Sequence, residues 1–507
     1  MIGFDAILAS FAAALHYESI AIILGGVLLG YIVGVIPGLN RAVAIAIAIP
    51  LTFYMSAYAA IAFLIGLSKG TAAGSAVSAI LLNTPGEPSS AATCLDGYPM
   101  ARDGKPRKAL KVGLLASVIG DLLATLLLIA VAIPFASVAL KFGPYELAAI
   151  LIFALVFIAA MAGGSFLKGL AAGGMGIILG TVGLDPETGA ARLTFGYAEL
   201  MEGVPILPLV IGTLALAEMF VQLDEYRRNK GASVIKLSDD KADDLSYREF
   251  KGTLPTILKS TGVGAFVGAL PGLGPSVGAF MAYGLAKRSA KDPDSFGKGN
   301  PNGIAAAEAS DNAVIPASYI PLFGLGIPGS VSAALLVGAF MIHGIQVGPL
   351  MLRDHPEMLF TLFSGMIVAS LLMLAVGWYG LRIFARVTSV PPHIVIAVVI
   401  FLCLAGIQVQ GYGTFGLVTV FVFAIFGYFL KKFDYSFVTF LVAFIVTPML
   451  EMNLRQSVIL SGGEIGILLD RPIALAFIVF TVLMVLHLGW SSYRRRMKAR
   501  YKARTDS

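Results

Sequence analysis

Small polar side chains gather around two Pro-Gly breaks that interrupt strongly apolar stretches of the chain. The first break is Asn83-Thr84-Pro85-Gly86 and the second is Gly326-Ile327-Pro328-Gly329. A broken helix frees backbone N–H groups, which favour anions, and backbone carbonyls, which favour Na⁺. Hydroxyl and amide side chains beside the breaks would add neutral donors around a bound carboxylate. The alternative is that these small residues only allow tight helix packing.

Ionisable residues inside apolar segments are the second signal, because each costs a few kcal/mol or more at the middle of a membrane. Arg41 and Lys69 could receive a substrate carboxylate, or Lys69 could pair with Asp311. Glu308 and Asp311 are candidates for ion coupling or charge pairing, as a cation site or a proton relay. Arg41 and Lys69 could instead extend to a membrane interface, and that interpretation is preferred for Asp121, which we expect near a helix end.

The predicted substrate-binding set combines these two groups. Its members are Asn40, Arg41, Lys69, Asn83, Thr84, Pro85, Gly86, Ser89, Ser90, Ser276, Asn312, Gly326, Pro328, Gly329, Ser330 and Ser332. No catalytic or metal-binding residues are predicted. The histidines are scattered and the two cysteines lack metal-ligand spacing.

The elements that must position these residues form a duplicated unit. Gly34–Leu39 of the first copy reads like Gly268–Leu273 of the second, and each is followed by one of the Pro-Gly breaks. The loops that follow the two hairpins differ in charge: residues 53–58 of the first copy are uncharged, whereas residues 287–291 of the second copy are basic. Further along the chain, the basic residues belong mainly to the first copy. By the positive-inside rule the copies are predicted to lie in opposite orientations, as inverted-topology repeats.

Composition fixes the fold class. Hydrophobic residues make up 57% of the chain and charged residues 13%, with a mean hydropathy of +0.86. Long apolar runs predict an all-α polytopic membrane protein with roughly 11–15 membrane segments of about 20 residues each. The charge pattern predicts an outside N-terminus, retained and not cleaved as a signal peptide, and a cytoplasmic C-terminus.

The predicted organisation has five parts. They are repeat one at 1–221, a cytoplasmic loop at 222–252, repeat two at 253–390, additional membrane helices at 391–490 and a basic cytoplasmic tail at 491–507.

Several longer motifs, in order, resemble the large membrane subunit of the tripartite tricarboxylate transporters, the TctA-like family. The marks are Leu81–Gly86, Leu95–Ala101, Ala269–Pro275, Phe296–Gly299, Leu325–Ser330 and His343-Gly344. The resemblance covers roughly residues 20–450. It implies a bacterial inner-membrane protein that works with a small four-helix membrane subunit and a periplasmic solute-binding protein. It also implies carboxylate uptake by alternating access, driven by a Na⁺ or proton gradient, with Na⁺ the only cofactor to consider.

Three positions depart from the family pattern by adding charge. Asn40-Arg41 stands where the family commonly reads Gly-Pro, Lys69 stands near a common aromatic, and Asp311-Asn312 replaces a common Asn pair. These changes suggest a different or more highly charged carboxylate, or a cation replaced by the ammonium of Lys69.

Two other classes remain open. One is a membrane-embedded enzyme acting on a lipid-linked substrate, although the chain has no His/Asp metal cluster or Ser-Lys arrangement. The other is a channel or scaffold subunit without a substrate site. The absence of a Walker-type loop agrees with a secondary and not an ATP-driven transporter.

Overall fold

The computed structural model describes residues 4–161, 165–228, 235, 243–388, 390–464 and 470–505, and it omits the side chains of 4–8, 225–228, 392 and 491–505. Residues 229–234 and 236–242 of the predicted loop 222–252, and the side chains of the predicted tail, therefore lie outside the described part. Within that part the regular secondary structure is helical except for one short hairpin, so the prediction of an all-α polytopic protein is confirmed.

The first half contains ten helices and the hairpin. These are α1 (Phe4–Ala14), α2 (Tyr17–Gly34), α3 (Arg41–Thr52), α4 (Ala57–Leu82), α5 (Ala91–Arg102), α6 (Pro106–Ala139), α7 (Pro144–Met161), α8 (Phe166–Gly180), β1 (Gly183–Leu184), β2 (Ala191–Arg192), α9 (Ile206–Val210) and α10 (Ala217–Arg228). A π-helical stretch, Ile211–Leu216, joins α9 to α10. The strands are antiparallel, with Gly183 opposite Arg192.

The second half continues as helices. These are α11 (Tyr247–Ala269), α12 (Gly274–Ser289), α13 (Pro301–Ala317), α14 (Tyr319–Leu325), α15 (Val331–Ile342), α16 (Pro349–Asp354), α17 (Pro356–Val387), α18 (Pro392–Val409), α19 (Gly413–Lys432), α20 (Phe437–Ser461) and α21 (Pro472–Thr505).

Nine helical segments in the described residues are long and apolar enough to cross a membrane. Arg41–Thr52 and Val331–Ile342, by contrast, are short apolar helices of 12 residues each. At 1.5 Å per residue each measures about 18 Å, which is less than the roughly 30 Å of a hydrocarbon core. These half-length helices follow the hairpin break of copy one and the Pro-Gly break of copy two. The total number of crossings stays a prediction.

The helices that precede the two breaks end in left-handed backbone at equivalent positions. Asn83 ends α4 with φ 54°, and Gly326 ends α14 with φ 74°. Asn tolerates this region better than most side chains, and Gly adopts it freely. Downstream, a Cβ on Gly86 would lie 2.9 Å from Cβ of Ser75, and one on Gly329 would lie 3.1 Å from that of Ser318. Each break therefore folds back against a preceding serine, Ser75 within α4 and Ser318 at the junction of α13 and α14.

Glycines bring the helices of each copy into backbone contact. On α2, a Cβ at Gly30 would lie 2.3 Å from the carbonyl oxygen of Leu67 on α4, and one at Gly34 would lie 2.2 Å from that of Thr71. In copy two, Gly264 and Gly268 of α11 lie equally close to α13. Without a hydrophobic driving force between helices in lipid, this close packing supplies much of the association energy.

The copies also pack onto each other in a reciprocal way. The long helix α6 of copy one packs on α13 of copy two, and the long helix α17 of copy two packs on α4 of copy one. The segment Pro88–Ser90 after the first break packs on α12, and α15 after the second break packs on α3. The two broken regions are therefore held between the copies.

A charged network ties the hairpin to the additional helices. Arg192 of β2 donates to Glu451 of α20 at 2.5 Å, and Arg455 donates to Asp185 and Glu451. The hydrogen bond from Arg455 is the main reason that the pKa of Asp185 lies well below its usual range. The hydrogen bond from Lys111 of α6 likewise lowers the pKa of Asp244.

Gly30 and Gly25 form a matched pair of test sites on α2. Replacing either by Ala raises helix propensity by about 1 kcal/mol. Only Gly30→Ala forces a methyl group into the α4 backbone, because nothing lies within 4 Å of a Cβ at Gly25. We expect Gly30→Ala to lower the melting temperature of the purified protein in detergent, since overpacking costs about 1–3 kcal/mol. Gly25→Ala should leave it unchanged or slightly higher, and equal melting temperatures would contradict the described contact.

Candidate functional site

A buried ion cluster centred on Arg41 joins the two copies. Arg41 is the first residue of α3, and Asn40 caps this helix by accepting a hydrogen bond from the backbone N–H of Val43 at 3.1 Å. Only 3% of Arg41 is exposed. The cap and the preceding break therefore fix where a guanidinium enters the interior.

Two carboxylates share that guanidinium. Nε of Arg41 donates to both oxygens of Glu87, at 2.8 and 2.6 Å, and the backbone N–H of Arg41 donates to Glu87 at 2.8 Å. Nη2 of Arg41 donates to Oδ1 of Asp311 on α13 at 2.8 Å. Glu87 follows the first Pro-Gly break, whereas Asp311 belongs to the second copy. One arginine thus links the first hairpin, the first break and α13.

The cluster keeps spare hydrogen-bonding capacity. Nη1 of Arg41 and Oδ2 of Asp311 are buried and have no protein partner among the described residues. The same holds for the hydroxyls of Ser89 and Ser310 and for Oδ1 of Asn312. Buried polar groups are normally satisfied, and unsatisfied ones call for a ligand, an ion or a water. This region therefore has both donor and acceptor atoms for a polar ligand.

Glu308 lies one helical turn before Asp311 and has a different environment. The hydroxyl of Thr93 on α5 donates to Oε1 at 2.6 Å, and the hydroxyl of Ser117 on α6 donates to Oε2 at 2.8 Å. The side-chain amide of Asn312 donates to the backbone carbonyl of Glu308 at 3.0 Å. Both carboxyl oxygens are thus held by neutral hydroxyl groups from copy one.

Lys69 forms a separate network and not the pair with Asp311 considered from the sequence. Its ammonium donates to Asp121 of α6 at 2.5 Å and to the hydroxyl of Ser370 of α17 at 2.9 Å. Asp121 is fully buried in the middle of α6, so the expectation that it extends from a helix end is wrong. The reason is length: α6 has 34 residues and places Asp121 far from both ends. Lys69, at 1% exposed, does not extend to an interface either.

Two of the serines predicted at the breaks form hydrogen bonds with other serines, and one of the two also caps a helix. Ser90 bonds to Ser75 of α4 at 2.7 Å, and Ser330 bonds to Ser318 at 3.2 Å while it caps α15 through the N–H of Ala333. These bonds repeat one arrangement in both copies.

The remaining predicted residues occupy the break backbones or lie further out. The hydroxyl of Thr84 donates to the carbonyl of Leu82, whereas Ser276 and Ser332 are only half-buried. Gly326 borders a largely apolar cavity of about 410 Å³ whose lining includes Met341, Met449 and Met452, away from the charged residues described above. The structure therefore brings Arg41, Asp311, Glu308 and Asn312 together, and it gives Ser276, Ser332 and Lys69 other surroundings.

Sequence reasoning missed several partners. Glu87 was visible as a polar residue beside the first break but was not in the predicted set. Asp121 is recognisable from the sequence as a carboxyl in an apolar segment, but its position in the middle of α6 is not. Thr93, Ser117 and Ser370 gave no signal, since isolated hydroxyl residues are common in membrane helices.

Asp96 explains two of the longer sequence motifs. Its Oδ1 accepts from the backbone N–H groups of Gly297, Gly299 and Asn300 at 2.9, 2.9 and 2.7 Å, and its Oδ2 accepts from Tyr283 at 2.9 Å. Three backbone N–H donors are a strong site for a carboxylate. Asp96 therefore fixes α5 of copy one to the segment that leads into α13.

Taken together, the core network holds more acids than bases. Its cations are Arg41 and Lys69, and its carboxyl groups are Glu87, Asp121, Glu308 and Asp311. Both cations already have carboxylate partners, and Nη1 of Arg41 is their unpaired donor among the described residues. An anionic ligand can therefore bind at Nη1 or displace one of the carboxylate partners.

Comparison with known proteins gives related families and relatives. The family model described as tripartite tricarboxylate transporter TctA family matches residues 20–442. An uncharacterized 52.8-kDa protein of the TAR-I ttuC' 3' region of Agrobacterium vitis is 35% identical over 413 residues, which is 81% of this chain and 81% of that protein. An uncharacterized protein of the TAR-II ttuC' 3' region of the same organism is 28% identical over 223 residues, which is 44% of this chain and 92% of that protein. No solved structure matches the chain.

A double-mutant cycle tests the buried Lys69–Asp121 pair. We expect Lys69→Met and Asp121→Asn each to destabilise the protein by about 3–5 kcal/mol, because each leaves a buried charge without its partner. The double variant should lose clearly less than the sum of the two. Thermal unfolding in detergent gives the three values, with Lys141→Met at an exposed position as the control. Additive effects would contradict the pairing.

Proposed function

The chain belongs to the tripartite tricarboxylate transporter TctA family, and on that basis we propose that it is the large transmembrane subunit of a secondary transporter importing a small di- or tricarboxylate. In this proposal a periplasmic solute-binding protein delivers the substrate, a small four-helix membrane subunit completes the complex, and a Na⁺ or proton gradient drives uptake. The chain lies in the inner membrane with its N-terminus periplasmic and its C-terminus cytoplasmic.

The observation that carries the proposal is the Arg41 cluster between the two copies. Breaks in paired repeats are typical of substrate sites in transporters, where non-helical backbone is tolerated because it lines a cavity. Here the guanidinium lies at the first break and is held by carboxylates from both copies. A substrate carboxylate is chemically equivalent to the Asp311 side chain, so it would compete with Asp311 for Arg41.

Competition of this kind supports alternating access. Releasing Asp311 from Arg41 removes a charged link between copy one and copy two. The two copies, which pack on each other through α6 on α13 and α17 on α4, could then shift as rigid units. Substrate binding and movement of the copies are coupled in this proposal because one arginine serves both.

The first test is uptake into proteoliposomes that contain the chain and its small subunit, with the binding protein outside. Radiolabelled citrate, succinate and malate are supplied, and Na⁺ and pH gradients are imposed separately. We expect saturable, concentrative uptake of at least one substrate that requires the binding protein and one gradient. Flux that only equilibrates would favour a channel, and turnover of a lipid substrate without a gradient would favour a membrane enzyme.

Arg41→Ala tests the proposed role of the cluster. We expect uptake to fall by about tenfold or more, since losing even 1.4 kcal/mol of binding free energy corresponds to a factor of ten. Arg288→Ala is the control, because Arg288 is exposed in the last turn of α12. Initial rates over a range of substrate concentrations separate a loss of affinity from a loss of turnover. Wild-type affinity and rate in folded Arg41→Ala protein would contradict the proposal.

A further inference from the structure

Glu308 is the acidic group of the core network that lacks a cationic partner. Among the described residues no lysine, arginine or histidine forms an ion pair with it, although only 1% of the residue is exposed. Arg41, the nearby guanidinium, is engaged by Glu87 and Asp311. Transferring an ionised carboxylate from water to such a place is costly unless a charge is supplied or the group becomes neutral.

The groups around Glu308 are mostly neutral or already paired. Those on its own and neighbouring elements are Asp311 and Asn312 of α13, Thr93 and Cys94 of α5, Gly113 and Ser117 of α6, Tyr31 of α2, Glu87 before the Pro88–Ser90 turn, and Arg41 of α3. One turn further along α5, Asp96 is bonded to Tyr283 of α12, and one turn further along α6, Asp121 is bonded to Lys69. The charged neighbours therefore add more negative than positive charge.

The two hydroxyls that hold Glu308 suit either protonation state. A serine or threonine hydroxyl donates one hydrogen bond and accepts up to two. Thr93 and Ser117 can therefore donate to the carboxylate, as the geometry at 2.6 and 2.8 Å allows, or one can rotate to accept from the protonated acid. A lysine or arginine partner could not do this, because it has donors only.

Glu308 also lies across the boundary that transport must loosen. The carboxyl belongs to α13 of copy two, whereas Thr93 and Ser117 belong to α5 and α6 of copy one. If α13 separates from α5 and α6, the carboxyl loses both hydroxyl partners and reaches water. Its proton affinity therefore depends on the relative position of the copies.

We propose that Glu308 is a proton-binding site, so that this transporter is driven by protons and Glu308 carries the coupled proton. This rests on the proposed function as a secondary carboxylate transporter. The proton binds to a carboxyl oxygen of Glu308 while that group faces the outside and leaves to water on the cytoplasmic side. With Glu308 neutral, the core network carries one fewer negative charge, which favours the entry of a substrate carboxylate.

The decisive comparison is between gradient-driven accumulation and exchange. An imposed difference of about one pH unit supports about tenfold accumulation per coupled proton, because the two represent the same free energy. In sodium-free proteoliposomes the wild type should accumulate labelled substrate when the outside is acidic. Glu308→Gln should lose this accumulation yet still exchange labelled for unlabelled substrate, because exchange needs no net proton movement. Glu146→Gln, a buried glutamate of α7 that accepts from the N–H of Gly143, is the matched control.

Each result has a defined meaning. Wild-type accumulation by Glu308→Gln overturns the proposal, and so does wild-type protein that responds to a Na⁺ gradient but not to a pH gradient. Folded Glu308→Gln that has lost exchange as well overturns it too, because Glu308 would then serve substrate binding or packing. Wild-type protein that neither accumulates nor exchanges any tested carboxylate is the separate failure of the proposed function.

Thr93→Val decides the matter if Glu308→Gln does not fold. Removing this hydrogen-bond donor destabilises the ionised carboxylate of Glu308, so Glu308 should keep its proton to a higher pH. The midpoint of the pH profile of uptake should rise by about one unit, the size expected for one hydrogen bond to a charged group. Thr93→Ser should restore the wild-type profile. An unchanged midpoint in folded Thr93→Val overturns the proposal, since a purely structural role for the hydroxyl would not move it.

Discussion

The cost of keeping charged side chains away from water constrains this structure more than any other factor. The burial of Arg41 is tolerated only because Glu87 and Asp311 reach it from two different parts of the fold. A buried charge without such partners would be destabilising by several kcal/mol. The hairpin that begins α3, the break before Glu87 and the placement of α13 must therefore all be maintained together.

Close backbone packing makes that placement possible. Glycines on α2, α4 and α11 let helix axes approach until backbone atoms touch, which leaves no room for a side chain. The breaks then fold back on Ser75 in copy one and on Ser318 in copy two, which buries Gly86 and Gly329 inside the bundle. Asp96 fixes a further point of contact between the copies through backbone donors. Rigid helices and a few polar anchors thus hold the ionisable groups at defined depths.

An excess of carboxyl groups over cationic groups follows from this arrangement and bears on transport. A site for an anionic substrate that is itself acidic would repel its ligand unless protons or metal cations neutralise part of it. In the transporter that we propose, entry of a cation together with the anionic substrate would reduce this repulsion. Asp311 and Glu308 divide the work in our proposals, since the first competes with substrate for Arg41 and the second holds a proton.

The sequence by itself determined the membrane class, the helical fold and the duplicated breaks, because hydropathy, Pro-Gly spacing and glycine content act locally. It also identified Arg41, Asp311 and Glu308, since an ionisable residue in an apolar segment is conspicuous wherever it lies. Only the tertiary structure decided the pairing. Lys69 meets Asp121 and not Asp311, and Thr93 and Ser117 meet Glu308, because these contacts join helices far apart in the chain whose register depends on packing between the copies.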